Sequence, residues 1–273
     1  MYYKFKNCSI IEQYICLIFF INVLEISFYI HNIKKMKNFL GDKIYARNAS
    51  WSFDKKVPKN FTKHISKSVP FYLEGHEIIC EISDFFLKEK SVCYDLGCST
   101  GVLLNKICNR HKDKKIEFIG IDSVKAMINQ AKKENKKKTN RIKYLNKDIR
   151  KFVFKNSDLI ISYFTMQFIK PEYRQTMINK IYKSLNWGGA FILFEKIRGS
   201  DARFQDIMNF LYFDFKSKNK LDPLDILNKE KSLRGVLEPY TIKANVDFMK
   251  RAGFKDVTPI LQYVNFMGFL AIK

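Results

Sequence analysis

The sequence predicts an α/β fold: a doubly wound, mostly parallel sheet of seven strands with an antiparallel edge hairpin and a helical insertion. Three observations carry that expectation. From Ser91 onward, short apolar runs alternate with amphipathic stretches of helical length, the pattern of a sheet covered by helices on both faces. A glycine-bearing turn, Gly97 to Gly101, joins the first apolar run to the first amphipathic stretch. The last two apolar runs lie too close together for a crossover helix, so they should pair antiparallel.

Taken in order, residues 1–40 hold an uncharged apolar run at 13–24 (QYICLIFFINVL), flanked by Glu12 and Glu25. The run is short of the ~20 residues that cross a bilayer, and no small-residue cleavage pattern follows it. This segment reads as dispensable or extended, with Met36 favoured as a real or ancestral start over a membrane anchor. Residues 41–273 read as a single domain. Within it, 45–88 is expected to form a lid over the carboxyl end of the first strand. Strands are predicted at 91–96, 116–121, 142–146, 157–164, 190–197, 256–263 and 265–272, with helices near 101–110, 123–137, 171–186 and 241–252. Pro171 suits a first helical turn, where its missing N–H would have no partner. Asn186-Trp187-Gly188-Gly189 should close that helix, glycine supplying the positive φ. Residues 202–239 form a mostly helical insertion, placed to shape the pocket of a second substrate.

With 273 residues, 47% of them hydrophobic, the chain can bury a sizeable core, which excludes disorder of the whole. The net charge of +22 suggests a polyanionic partner, either nucleic acid or an anionic membrane surface. The 25 Phe and 14 Tyr beside the lysines, with many Ile and Asn, match the residue set of AT-biased coding, so charge alone assigns no function. The segment 132–151 holds ten basic residues and two acids, but without the interleaved aromatics that stack bases it reads as a solvated helix end and loop. Cysteines 8, 16, 80, 93, 98 and 108 show neither zinc nor disulfide spacing, and free thiols in a reducing cytoplasm are expected. His31, His64, His76 and His111 lack metal spacing or a partner acid, so surface or structural roles are expected and no metal site is assigned.

The run Tyr94-Asp95-Leu96-Gly97-Cys98-Ser99-Thr100-Gly101 carries the chemistry. Its glycines admit a ligand to the backbone, and the following helix offers unpaired N–H groups. It lacks the G-x-G-x-x-G of a dinucleotide site, and Asp95 would repel a pyrophosphate while pairing with the cationic amino group of a methionine moiety. That favours S-adenosylmethionine over NAD. Asp122, 21 positions after Gly101, ends the second strand where a ribose-binding acid is expected, with Ser123 beside it. After the third strand, Asp148 can take an adenine amino group and Ile149 can pack on the ring. Three acids at three successive strand ends make one site.

From about Trp51 to the C-terminus the sequence resembles the carboxy-S-adenosyl-L-methionine synthase family, a branch of the Rossmann-like methyltransferase fold. The resemblance rests on W-S-F-D (51–54), S-V-P-F-Y (68–72), Y-D-L-G-C-S (94–99), I-D-S (121–123), K-D-I-R (147–150), F-T-M-Q-F (164–168), L-N-W-G-G-A (185–190), F-E-K (194–196) and D-F-K (214–216). It implies conversion of S-adenosyl-L-methionine and prephenate to carboxy-S-adenosyl-L-methionine, phenylpyruvate and water. The sulfonium acidifies its methyl group, and the resulting ylide captures the carbon dioxide that prephenate releases in a pocket closed to water. The resemblance implies cofactor contacts at Tyr72, Gly97, Cys98, Ser99, Asp122, Ser123, Asp148 and Ile149. It also implies a homodimer, and a product passed to an enzyme that modifies the wobble uridine of tRNA, with no direct tRNA contact required and no stable membrane anchoring.

Two departures from the family pattern stand out. Tyr163 replaces an asparagine next to the cofactor. The family's K-R-S, whose arginine is expected to clamp the new carboxylate, reads Lys229-Glu230-Lys231-Ser232, leaving Glu230, Lys231 or Arg234 as candidates for that position. Trp187 replaces the proline of N-P-G-G. The alternatives are an ordinary S-adenosylmethionine-dependent methyltransferase and a cofactor-binding protein with decayed catalysis.

Overall fold

The computed structural model describes residues 39–40, 44–45, 57–136 and 141–273. The apolar run 13–24 and the W-S-F-D stretch lie outside them. Seven strands, β1 (Val92–Leu96), β2 (Glu117–Asp122), β3 (Ile142–Asn146), β4 (Ser157–Tyr163), β5 (Leu185–Arg198), β6 (Asp256–Tyr263) and β7 (Phe266–Ile272), form a sheet ordered β3-β2-β1-β4-β5-β7-β6. The first five are parallel, and β7 runs antiparallel to both β5 and β6. A two-residue strand, Tyr240–Thr241, adds an eighth member alongside the end of β5. Chain order reverses between β1 and β4, which opens a crevice at the carboxyl ends of the parallel strands.

The eight helices described are α1 (Val57–Ser68), α2 (Tyr72–Phe86), α3 (Val102–Arg110), α4 (Lys125–Lys136), α5 (Pro171–Ser184), α6 (Ala202–Lys218), α7 (Pro223–Leu233) and α8 (Ile242–Ala252). Side chains alternate across each strand, so the core splits into two layers. Cys93, Leu159, Ile161 and Ile192 pack against Ile79 of α2, Leu104 and Ile107 of α3 and Ile128 of α4. Tyr94, Ile160, Phe191 and Leu193 face Met177, Ile178 and Ile181 of α5 and Met249 of α8. The strands are apolar on both sides because both sides are covered.

The insertion after β5 is held by local caps. Asp201 accepts the Phe204 N–H at the start of α6, and Asp222 accepts those of Leu224 and Asp225 at the start of α7, with Pro223 in the first turn. The 186–189 stretch differs from its expectation. Helix α5 ends at Ser184 and β5 already begins at Leu185, so Gly188, at φ 76°, makes a bulge inside the strand. The cause is pairing: Leu185 is buried beside Ser157, while Gly188 and Gly189 exchange hydrogen bonds with the backbone of Lys273. The four described cysteines, 80, 93, 98 and 108, are buried free thiols. Among the described residues no helix is long and apolar enough to cross a membrane.

Candidate functional site

A cavity of about 780 Å³ opens at the carboxyl ends of β1, β2 and β4. Its floor is the turn after β1. Gly97 and Cys98 donate to the Ile121 carbonyl at 2.7 and 3.1 Å, tying the turn to β2. Gly97 and Gly101 both have positive φ, and a Cβ on either would run into Thr165 or Tyr144 respectively. Asn105 holds the turn from below by donating to the Gly101 carbonyl and the Tyr144 hydroxyl.

The three acids sit in different environments. Asp95 is 2% exposed and makes no side-chain hydrogen bond among the described residues. Burial, and secondarily the Asp122 carboxylate, push its pKa up to about 7. Asp122 accepts the backbone N–H of Ser99 (3.0 Å) and Val124 (2.8 Å); burial raises its pKa and these two bonds oppose the rise. Asp148 is gripped by Arg150, Nη2 to Oδ2 at 2.6 Å, and that bond holds it below the usual carboxylate range. Ser123, Ile149, Lys147 and Arg150 line the same wall, so part of the basic 132–151 segment borders the strand-end acids instead of standing apart from them.

Opposite lies an aromatic wall. The Tyr163 hydroxyl donates to the Tyr72 carbonyl at 2.6 Å, and the two rings pack with that of His76 at centroid distances of 4.8 to 5.1 Å. His76 is buried, and neither ring nitrogen has a hydrogen-bond partner among the described residues. Burial, with Lys106 adding to it, pushes its pKa down to about 3, so the ring is neutral. His76 is thus part of the cavity wall. His111, expected without an acid, lies buried 3.6 Å from Asp84 and 2.8 Å from Ser83 Oγ. Both contacts fall on Nε2, so the trio lacks the relay of a nucleophilic triad.

The insertion supplies the far end. Lys196 of β5, Tyr212 and Lys216 of α6, and Lys229 and Glu230 of α7 all line the cavity. The Tyr212 hydroxyl donates to the Ser68 carbonyl (2.7 Å), and Lys229 donates to Ser68 Oγ (3.1 Å). The Lys196 and Lys216 ammonium groups stand 4.7 and 4.1 Å from the centre of the Tyr212 ring. Burial, then Lys216 and Lys196, bring Lys229 down to about 7; burial brings Lys216 down to about 8, with Glu230 opposing.

All ten expected cofactor positions, Tyr72, Asp95, Gly97, Cys98, Ser99, Asp122, Ser123, Asp148, Ile149 and Tyr163, therefore border one cavity, as do Glu230 and Arg234. Lys231 is exposed and does not line it. Sequence reasoning assigned no role to Lys196, Lys216, Lys229 or Tyr212. It also passed over the frame behind them: Gln167 receives Arg174 at its carbonyl (2.9 Å), gives its N–H to Glu195 (2.9 Å) and accepts the Lys196 N–H at its side chain (2.8 Å). A glutamate and a lysine directly after the apolar run Ala190–Phe194 of β5 were the available signal. Among the described residues no cluster has the makings of a metal site.

A sheet of this order with a glycine turn after its first strand defines a protein of the S-adenosylmethionine-dependent methyltransferase class, and residues 93–189 match the family model described as "Methyltransferase domain". The fold is that of a putative S-adenosyl-L-methionine-dependent methyltransferase from Methanococcus maripaludis (TM-score 0.54, 19% identity, covering 83% of this chain and 96% of that one). Human N-acetylserotonin methyltransferase in complex with SAM is likewise similar in fold (TM-score 0.56, 15% identity, 81% and 56%). Sequence similarity is narrower. Carboxy-S-adenosyl-L-methionine synthase of Staphylococcus epidermidis is 41% identical over 82% of this chain and 97% of its own length, and that of a Nitratiruptor species is 36% identical over 85% and 98%. The chain belongs to the carboxy-S-adenosyl-L-methionine synthase family.

Proposed function

We propose that the protein converts S-adenosyl-L-methionine and prephenate to carboxy-S-adenosyl-L-methionine, phenylpyruvate and water. One observation carries the reading beyond family membership: a single cavity joins a buried, unpaired carboxylate at Asp95 to a lysine-lined end. A cation and an anion can be held side by side in it. The turn fits the sulfonium substrate, since Asp95 lacks a partner of its own and the Gly97, Cys98 and Ser99 backbone beside it lines the cavity. In this reading Asp95 takes the amino group, Asp122 and Ser123 the ribose hydroxyls, and Asp148 and Ile149 the adenine. Tyr72 and Tyr163 close the side, and the apolar wall keeps water from the carbon dioxide released by the second substrate.

The carboxylate gained by the product needs a cation. Of Glu230, Lys231 and Arg234, only Arg234 is both basic and on the cavity lining. It stands one helical turn from Glu230, at the C-cap of α7, and is the clamp in this reading. The same helices suit a homodimer. Phe204, Ile207, Phe210, Leu211 and Phe213 of α6 and Leu224 and Leu227 of α7 are exposed, while Tyr212 and Lys216 turn inward. The protein would work in the cytoplasm and supply a carboxymethyl donor for tRNA wobble-uridine modification without itself holding tRNA.

The test is to incubate pure protein with S-adenosyl-L-methionine, with and without prephenate, and to weigh the nucleoside product. Carboxylated product that depends on prephenate is expected. Methyl transfer to an added acceptor would establish the ordinary methyltransferase instead. Tight cofactor binding with no product would establish decayed catalysis, the reading that Tyr163 and Glu230 favour.

A further inference from the structure

We propose that Lys196, Lys216 and Lys229, arranged around Tyr212, form the anion site that holds the carboxylates of the second substrate, a dianionic keto acid. The inference rests on the synthase reading and names the residues that reading leaves unassigned. Four elements converge to build the site: β5 brings Lys196, α6 brings Lys216 and Tyr212, α7 brings Lys229, and α1 brings Ser68. Ser68 is the hub, its carbonyl taking Tyr212 and its hydroxyl taking Lys229.

The arrangement is poor for stability alone. Lys216 is 7% exposed, and among the described residues neither it nor Lys196 forms an ion pair or donates a side-chain hydrogen bond. The Tyr212 ring face offsets part of that cost through its quadrupole, serving two cations at once. Glu230 acts on both lysines from an exposed position, too far away to form an ion pair. The three ammonium groups repel one another and that of Lys216 is also cut off from water, so an incoming dianion relieves both penalties. Lysine heads on flexible stems suit a ligand whose two carboxylates point differently, where one arginine fork would fix a single plane. Because Lys229 bridges to Ser68, an anion on the lysines also bears on the end of α1, the helix that walls the cavity.

The lysines would otherwise serve the carboxylate of the methionine moiety, and the experiment separates the two. Lys216→Gln and Lys229→Gln are made in the full chain. Titration calorimetry then measures S-adenosyl-L-methionine binding, and separately phenylpyruvate binding to protein loaded with S-adenosylhomocysteine. The prephenate KM is read from product mass. Each substitution is expected to weaken keto-acid binding and raise the prephenate KM about tenfold to a hundredfold, leaving cofactor affinity within about twofold. For Lys216→Gln the thermal midpoint should hold or rise, because a buried ammonium without an ion pair is gone. Lost cofactor affinity with keto-acid binding unchanged would overturn the proposal, as would unchanged affinity for both. If the wild-type protein makes no carboxylated product, the synthase reading fails, while keto-acid binding to the loaded protein still decides the lysine site.

Discussion

The two ends of the cavity are built by opposite strategies. At the proposed cofactor end, the three acids lie within a few residues of a strand terminus, and the backbone does much of the work: Asp122 is oriented by the N–H groups of Ser99 and Val124, and the turn by the carbonyl of Ile121. At the lysine end almost nothing is local. Ser68 meets Tyr212 and Lys229 across 144 and 161 residues of chain, and both contacts are made by side chains of the insertion, on the Ser68 carbonyl and hydroxyl respectively. The first end is a property of the sheet; the second depends on how an insertion and α1 pack over it. That difference predicts which end tolerates change. Substitutions at the turn should destroy binding outright, and substitutions in the insertion should tune it.

The largest effect is expected from Gly97→Ala. A residue with a Cβ at φ 77° costs about 1–2 kcal/mol in backbone terms alone. Here the new methyl also meets Thr165, so the turn must move away from its ligand. S-adenosyl-L-methionine binding should fall more than about 100-fold by calorimetry, where each tenfold is about 1.4 kcal/mol. Phenylpyruvate binding at the lysine end should change little. Equal loss at both ends would show that the cavity is one cooperative unit and erase the contrast.

The second effect is a pair of opposed pH dependences. Asp95 has a carboxyl pKa raised to about 7, so it is protonated and neutral below that pH and gains its charge above it. Cofactor affinity should therefore climb as pH rises through about 7. The lysines run the other way. Lys229 near 7 and Lys216 near 8 are charged at low pH and lose their protons as pH rises, with Lys196 and Glu230 facing them. Keto-acid affinity should fall over the interval in which cofactor affinity grows, by about tenfold for each ammonium lost. Calorimetry at pH 6 and 8 with each ligand separately checks both signs. Asp95→Asn should flatten the first profile and leave the second intact; two profiles of the same sign would refute the assignment of the acids and lysines to different ligands.

The same contrast explains what the sequence revealed. The succession of strands, the glycine turn and the positions of Asp95, Asp122 and Asp148 were legible because short apolar runs and strand-end residues are local signals. The lysine end was not, although Lys196 and Lys216 stand in the F-E-K and D-F-K stretches that supported the family resemblance. Nothing in those stretches shows that β5 and α6 aim them at one tyrosine ring. Arg174 and Glu195 were missed for the same reason. A buried glutamate held up to about pKa 8 by burial, bound to the Gln167 N–H, is set by tertiary packing that no spacing encodes. Asp148 was legible in position but not in state: Arg150 stands in the same K-D-I-R stretch, but only the structure turns its guanidinium back onto the carboxylate.

A smaller effect is expected from Glu230→Arg. The acid opposes the lowering of Lys216 and stands where the family's clamp arginine is expected in an ungapped alignment. Replacing it adds a cation to the cavity and removes the acid that acts on Lys196 and Lys216. If that position is the clamp, the rate of carboxylated product formation should rise several-fold, an effect of about 1 kcal/mol. If Arg234 already serves, Glu230→Arg should leave the rate unchanged while Arg234→Ala lowers it about tenfold. Product mass measured on the two variants side by side decides between them.

The smallest effect concerns nucleic acid. A chain of +22 invites the inference that the basic 132–151 segment binds RNA. Three of its described cations, Arg141, Lys143 and Arg150, have other work. Lys143 pairs with Glu117 at 3.0 Å, and Lys155 just beyond the segment binds the same carboxylate. Arg150 is taken by Asp148, and Arg141 donates to the carbonyls of His111 and Lys112 while lying over the Phe118 ring. Counterion release scales with the phosphates actually neutralised, so the cations committed to internal partners contribute little to it. Binding of tRNA, followed by fluorescence anisotropy against salt, should be weaker than about 10 μM at physiological ionic strength and indifferent to sequence, with a shallow slope. A steep slope with tight binding would show that these internal pairs open for phosphate, and would give the charge a role of its own.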